Sequence, residues 1–314
     1  MSTAAHPFTL RQLQYAVAVA DELSFRRAAA RCRVAQPSLS AQIAQLEDAL
    51  GARLFERDHK RVFLTAAGRE LIERARSLLV SADDLAQSAK RASDPLAGSL
   101  RVGVIPTISP YLLPIAAPKL RARFPRLKIV WWEDKTAVLV AALEMGELDA
   151  ALLALDGTMS ELAHEVIAID PFLLAMPHGH PLAVGHAPVA NADLRRDDVL
   201  LLDDGHCFRD QALEVCSLAR ARESELRATS LATLVQMVAG GAGITLLPAL
   251  SARTEAKSAG LTTRPIASAS ARRTIALVWR KHSPPEGALR EIAKLVRDVY
   301  PHGPAVRRVS SLSR

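Results

Sequence analysis

The run Asp94-Pro95-Leu96-Ala97-Gly98-Ser99 divides the chain into two stretches with different hydrophobic rhythms, and a single layered core cannot satisfy both. Before it, apolar residues recur at spacings of three and four. After it, short aliphatic runs alternate with helical stretches. The chain has 314 residues, 49% of them hydrophobic, so each part can bury a core of its own.

In the first part, Leu10, Leu13, Ala16 and Val17 share a helical face that runs to about Val19. Ser24 is placed to cap a second helix, Phe25 to Cys32, and Cys32 falls on its apolar side, as a core residue. After the short link Arg33 to Ala35, Gln36-Pro37-Ser38 opens a third helix. Its face is Leu39, Ile43, Leu46 and Leu50, and Gly51 closes it. Two short helices about a tight link make a helix-turn-helix, and Leu54 to Leu64 reads as a two-stranded wing. From residue 66, Leu71, Ala75, Leu78, Ala82, Leu85, Ala89 and Ala92 alternate at spacings of four and three. That heptad seam predicts a linker helix that pairs with a second copy of itself; an ordinary amphipathic helix is the alternative.

In the second part, Leu100 to Ile105, Leu127 to Trp132, Ala150 to Leu155, Val199 to Leu202, Ile244 to Leu247 and Thr274 to Trp279 read as strands separated by helices. This predicts an α/β domain with largely parallel sheet. The end of the chain carries Pro, Gly, Ser and Arg without apolar period and reads as a loose tail, 304–314.

A balance of 40 Lys and Arg against 33 Asp and Glu gives a net charge of +7, which favours an anionic partner such as nucleic acid. The opening MSTAAHPFTLRQ lacks the apolar core of a secretory signal, and no stretch is apolar for long enough to span a bilayer. The expected location is the cytoplasm, with no membrane partner, where thiols stay reduced and a disulfide is a transient signal. His178, His180 and His186 sit in a loop-like run without an evident carboxylate or cysteine partner, so no metal is expected, and "AGGAGITLLP" precedes its strand instead of following it, so it is a turn and not a phosphate loop. No cofactor is expected.

The stretch "SFRRAAARCRVAQPSLSAQIAQLEDALGARLFERDHKRVFLTAAG" resembles the winged helix-turn-helix of LysR-type transcriptional regulators, and the linker and α/β remainder lie where that family places them. "GVIPTISPYLLP", "DDGHCFRDQALEVC", "RATSLATLVQMVAGGAGITLLPAL" and "RRTIALVW" resemble its peroxide-sensing members. The resemblance implies a DNA-binding domain over 1–65, a dimerising linker helix over 66–93, a hinge over 94–99 and a regulatory domain over 100–303 that is built like a periplasmic binding protein. Its first lobe would comprise about 100–168 and 274–303, its second about 169–273. The resemblance also implies a homotetramer, a dimer of dimers, that binds double-stranded operator DNA, contacts RNA polymerase and acts as activator and repressor. It would take hydrogen peroxide as signal and be reset by a cellular thiol reductant.

A recognition helix needs short polar groups for base edges and flanking cations for phosphates. Gln36, Ser38, Gln42 and Gln45 suit the first role, with Pro37 in the first turn; Arg53, Arg57, Lys60 and Arg61 suit the second, and Arg26, Arg27 and Arg31 precede them.

Cys207 and Cys216, two of three cysteines, lie nine positions apart. Free cysteines are ordinarily inert core residues. The resemblance makes these a redox pair, with Cys207 meeting peroxide and Cys216 resolving it. In a continuous helix nine steps place two side chains on opposite faces, with Cα atoms roughly 13 Å apart, beyond the limit of about 7 Å for a disulfide. Oxidation would have to re-route the segment between them. A helix start at Cys207 would favour its thiolate. By resemblance its pocket comprises Thr107, Thr136, His206 and Arg273, with Asp210 nearby. Two other readings use the same residues: a LysR-type regulator that senses a small metabolite in the interlobe cleft without cysteine chemistry, and a thiol peroxidase. The winged-helix end argues for a regulator, not an enzyme, and the absent signal sequence argues against an exported solute-binding protein.

Overall fold

The computed structural model describes residues 6–58, 61–91, 96, 98–205, 207–219, 222–281, 283 and 286–301. They form two compact units, Met1–Lys90 and Arg91–Arg314. Among the described residues no helix is long and apolar enough to cross a membrane.

In the first unit α1 (Leu10–Glu22) starts from a reciprocal cap, in which Gln12 N donates to Thr9 Oγ1 and Thr9 N donates to Gln12 Oε1 at 2.8 Å. Ser24 caps α2 (Phe25–Arg31) by accepting from Arg27 N, and α3 (Gln36–Leu50) has Pro37 in its first turn and Gly51, at φ +64°, as its left-handed cap. Leu39, Ile43 and Leu46 are fully buried against Ala16, Val19 and Ala28; each contributes about 1.5–3 kcal/mol of burial. The wing is β1 (Phe55–Asp58) paired antiparallel with β2 (Arg61–Leu64). Glu47, 5% exposed, fastens it: Leu54 N and Phe55 N donate to Glu47 Oε1 at 2.7 and 3.2 Å, and Arg53 Nη1 donates to Oε2 at 3.0 Å. The last element, α4 (Ala66–Arg91), sends Ile72 and Ala75 into this core and leaves Leu78 and Leu85 exposed.

Cys32 packs against this core from its edge. It is the C-terminal cap of α2 and only half-buried, because the helix ends one residue early and the chain leaves through Arg33 at φ +55°.

The second unit contains β3 (Gly98–Val104), α5 (Ser109–Arg123), β4 (Leu127–Glu133), α6 (Thr136–Glu144), β5 (Ala150–Ala154), β6 (Leu162–Pro177), β7 (Asp198–Leu202), α7 (Cys207–Ala219), β8 (Arg222–Ala228), α8 (Leu231–Ala239), β9 (Ile244–Pro248), α9 (Ala249–Ser258), β10 (Leu261–Pro265), β11 (Arg272–Arg280) and α10 (Glu286–Val299). The strand order is β4-β3-β5-β11-β6-β9-β7-β8, with β10 on β6. The sheet is mixed and not largely parallel: β3/β4, β3/β5, β7/β8 and β7/β9 run parallel, while β5/β11, β6/β11, β6/β9 and β6/β10 run antiparallel. The cause is topological. β6 and β11 carry the chain across between two lobes in opposite directions, and every pairing they make is antiparallel.

Two cores result. One is built from β3, β4, β5, α5, α6 and α10, the other from β7, β9, α7 and α8. The change of core falls between Ala168 and Phe172 in β6, and between Ala271 and Ile275 at the start of β11. Of the expected hinge, residues 94, 95 and 97 lie outside the described residues, as does the tail over 304–314.

Candidate functional site

Three strand-to-helix junctions meet around one small cleft. β3 leads through Ile105, Pro106 and Thr107 to α5, β4 leads through Lys135 to Thr136, the first residue of α6, and β7 leads through Asp204 and Gly205 to Cys207, the first residue of α7. Ile105, Pro106, Thr107, Lys135, Thr136, Cys207 and Phe208 line the cleft closely. Strand ends followed by helix N-termini offer unpaired N–H groups and positive potential to a polar or anionic ligand.

Cys207 and its neighbour Phe208 serve different cores. The Cys207 side chain packs against the first lobe, whereas Phe208, Ala212, Val215 and Cys216 lie in the second, with Phe208 edge-on to Phe172 at 5.2 Å. All three cysteines are free, and Cys207 is partly accessible whereas Cys216 is 3% exposed. α7 is unbroken from one to the other, so the expected separation holds in this state.

Arg273 lies under the cleft with its side chain fully buried. Its Nε and Nη2 reach Asp170 Oδ2, each at 3.0 Å, while Nη1 donates to Thr107 Oγ1 at 2.7 Å and Nη2 to Thr107 O at 3.1 Å. The other Asp170 oxygen accepts from Leu250 N at 3.0 Å. Burial and the nearby Asp170 carboxylate push the Tyr300 phenol up, so it stays protonated. Because Thr107 Oγ1 accepts from Arg273, its own hydrogen is free for the cleft. The Thr136 hydroxyl is buried without a complete hydrogen bond; it lies near enough to the Cys207 sulfur to favour the thiolate.

Burial pushes the Cys207 thiol up from its ordinary value, and this outweighs the opposing pull of Thr136, Arg273 and Phe208 N–H. The helix start is where the sequence put it, but desolvation decides the sign. Burial and then Glu223 push Cys216 up to about 11.

Of the expected pocket residues, the structure brings Thr107, Thr136 and Cys207 together and sets Arg273 behind Thr107. Asp210 is exposed in the first turn of α7 and does not line the cleft. His206 lies outside the described residues. Sequence reasoning missed Asp170, Lys135 and Arg209. The signal for Asp170 was present, since a carboxylate inside the apolar run "VIAIDPFLL" needs a buried cation. Arg209, between the cysteines, donates to Asp204 Oδ1 at 2.8 Å and Glu223 Oε1 at 2.7 Å, tying α7 to the preceding turn and to β8.

In the first unit Gln36, Pro37, Ser38 and Gln45 are exposed on α3 and Gln42 is half-buried. The Arg53 side chain is 74% exposed although it pairs with Glu47. Arg31 pairs with Asp21, and Arg27 with Glu22. Lys60 and the side chains of Arg57 and Arg61 lie outside the described residues. Among the described residues no cluster of His, Cys, Asp and Glu could hold a metal ion, and His180 is engaged with Asp197 at 3.0 Å.

The chain is similar to known proteins in sequence and in structure. Residues 10–69 match the family described as bacterial regulatory helix-turn-helix protein, lysR family, and residues 93–301 match the LysR substrate binding domain. A hydrogen peroxide-inducible genes activator of Pectobacterium carotovorum is 43% identical over 290 residues, covering 92% of this chain and 96% of the relative. The DNA-binding transcriptional dual regulator OxyR of Escherichia coli is 43% identical over 276 residues, covering 88% and 90%. A full-length OxyR variant from Pseudomonas aeruginosa superposes with a TM-score of 0.72 at 34% identity, covering 93% of this chain and 96% of that one. A hydrogen-peroxide-bound OxyR mutant from Corynebacterium glutamicum gives a TM-score of 0.64 at 33% identity, covering 94% and 93%.

Proposed function

The chain belongs to the LysR family of transcriptional regulators, and on that premise we propose that it is a peroxide-responsive, DNA-binding regulator of the OxyR type, switched by a reversible Cys207–Cys216 disulfide. The observation that carries this reading is the seat of Cys207. It lines the cleft together with Thr107 and Thr136, on the same helix as a second free cysteine that faces a different core.

The chemistry follows from those groups. The Cys207 thiolate attacks one oxygen of hydrogen peroxide; the S–O bond forms as the O–O bond breaks, and hydroxide leaves and takes up a proton as water. The hydrogens of Thr107 and Thr136 are placed to steady the charge on the departing oxygen. Cys216 then attacks the sulfenic sulfur, the S–S bond forms, and a second water leaves. Because α7 holds the two sulfurs apart, closure requires local unwinding and withdraws Cys207 from the first lobe. A bond closing so short a loop stabilises the new form by about 3 kcal/mol where strain is low, comparable with the few kcal/mol between switchable states. A thiol reductant reverses it.

At the other end, Gln36, Ser38, Gln42 and Gln45 read base edges while Arg53, Arg57, Lys60 and Arg61 hold phosphates. Exposed Leu78 and Leu85 mark the seam by which linker helices pair. Pairs assemble into a tetramer that engages RNA polymerase, and the protein works in the cytoplasm, where its DNA is.

The test is peptide mass spectrometry after a near-stoichiometric peroxide pulse, with free thiols blocked at quench. A Cys207–Cys216 linkage within seconds, with Cys32 free, supports the switch; slow or indiscriminate oxidation leaves a LysR-type regulator with another effector. Sustained peroxide turnover with a thiol reductant would make it a peroxidase instead.

A further inference from the structure

We propose that Lys135 is a latch on the reduced state: a positioning residue that clips the turn before Cys207 to the first lobe and slows disulfide closure. The proposal rests on the switch reading above and deepens it. Lys135 belongs to the first lobe, where it precedes α6 with extended backbone at φ −66° and ψ 153° and its N–H donates to Asp134 Oδ1 at 2.8 Å. Its Nζ reaches into the second lobe and donates to the carbonyl of Asp204 at 2.7 Å.

The fit continues at the next residue. Gly205 has φ +87°, and a Cβ there would lie 3.1 Å from Lys135 Cδ and 3.4 Å from Nζ, so the turn is closed directly onto the lysine stem. Lys135 also lines the cleft that holds Cys207.

The contact is to backbone for a reason. The Asp204 carboxylate is already engaged by Arg209 Nε at 2.8 Å and Arg227 Nη1 at 3.1 Å, both from the second lobe. Asp204 is therefore gripped from both sides, its side chain by one lobe and its carbonyl by the other. When Cys207 departs for Cys216, the Asp204-Gly205 turn has to move with it, and the ammonium-to-carbonyl bond must break first.

The experiment uses the full-length reduced protein and its Lys135→Met and Lys135→Arg variants. Each receives a hydrogen peroxide pulse and is quenched over time, and sulfenic acid at Cys207 and the Cys207–Cys216 linkage are quantified separately by mass spectrometry. Lys135→Met is expected to convert sulfenic acid into the Cys207–Cys216 linkage roughly threefold to tenfold faster, the range a single hydrogen bond commonly carries, with the closure rate taken per sulfenic acid present and so independent of how fast that acid forms. Lys135→Arg, which keeps a cationic donor, is expected to close near the original rate. Closure in Lys135→Met that is unchanged or slower overturns the latch while leaving the switch intact. If the unaltered protein forms no Cys207–Cys216 linkage, the switch reading fails and the latch with it.

Discussion

Replacing Thr136 by Val separates the chemistry of the cleft from the stability of the fold. The hydroxyl is buried and completes no hydrogen bond, so valine removes it without orphaning a partner. The shape is kept. Thermal stability of the reduced protein should therefore change by less than about 1 kcal/mol. Its effect on the sulfur is different, because the hydroxyl favours the Cys207 thiolate against burial. A hydrogen bond to a charged group contributes about 1.5–3 kcal/mol, so Cys207 oxidation should slow by roughly tenfold to hundredfold. Thr107→Val makes the contrast. Thr107 Oγ1 accepts from Arg273 Nη1 at 2.7 Å in a site closed to solvent, and leaving that donor unpaired costs about 1–3 kcal/mol. This variant should lose both rate and melting temperature. The assay is competition kinetics with peroxide at Cys207, paired with thermal melts of the reduced proteins. An unchanged rate in Thr136→Val, or a melting loss equal to that of Thr107→Val, refutes the reasoning.

Three further outcomes are expected. Glu47→Gln keeps the size of the side chain but weakens the acceptor for Leu54 N, Phe55 N and Arg53, so DNA binding and first-unit stability should fall together, the latter by about 1–3 kcal/mol; amide hydrogen exchange at Leu54 and Phe55 reports it directly. The Cys216 thiol is raised from 9.0 to about 11, so the fold binds this proton more tightly than the unfolded chain does. The stability gained is complete below the ordinary thiol value and is lost as pH rises through the interval to the folded value; the urea midpoint should drop there more steeply than in Cys216→Ala. Leu85→Glu places a charge on a leucine that is 73% exposed and should shift light scattering toward smaller assemblies and reduce operator affinity, while a monomeric function of α4 predicts no change.

Periodicity and caps were enough for the helices of the first unit: Ser24 and Gly51 mark ends the structure keeps. Six strands of the second unit were legible as aliphatic runs. The three that were not have physical causes. β8, "RESELRA", is an edge strand with mostly exposed side chains and carries no apolar alternation. In β6 the buried Asp170 and the adjacent Pro171 interrupt the apolar run at the point where the strand changes cores. β10 is short and ends in Pro265. Missing β6 also hid the antiparallel half of the sheet. At the site, the nine-residue cysteine spacing was visible and the pocket threonines came by resemblance. Lys135 left no trace in the sequence, because its partner is a carbonyl and any residue supplies one.

The Cys207 side chain is lodged in one lobe although its helix belongs to the other. Under the proposed function, the atom that meets the oxidant is thus also the rivet between two lobes, and no relay has to carry news from a sensor to a hinge. One consequence concerns tuning. Enlarging or shrinking the apolar neighbours of that sulfur alters its exposure to the oxidant and its grip on the opposite lobe in the same stroke, so alarm threshold and idle-state firmness cannot drift independently. Lineages facing different oxidant loads can recalibrate such a device by small changes in packing, with its sulfurs untouched.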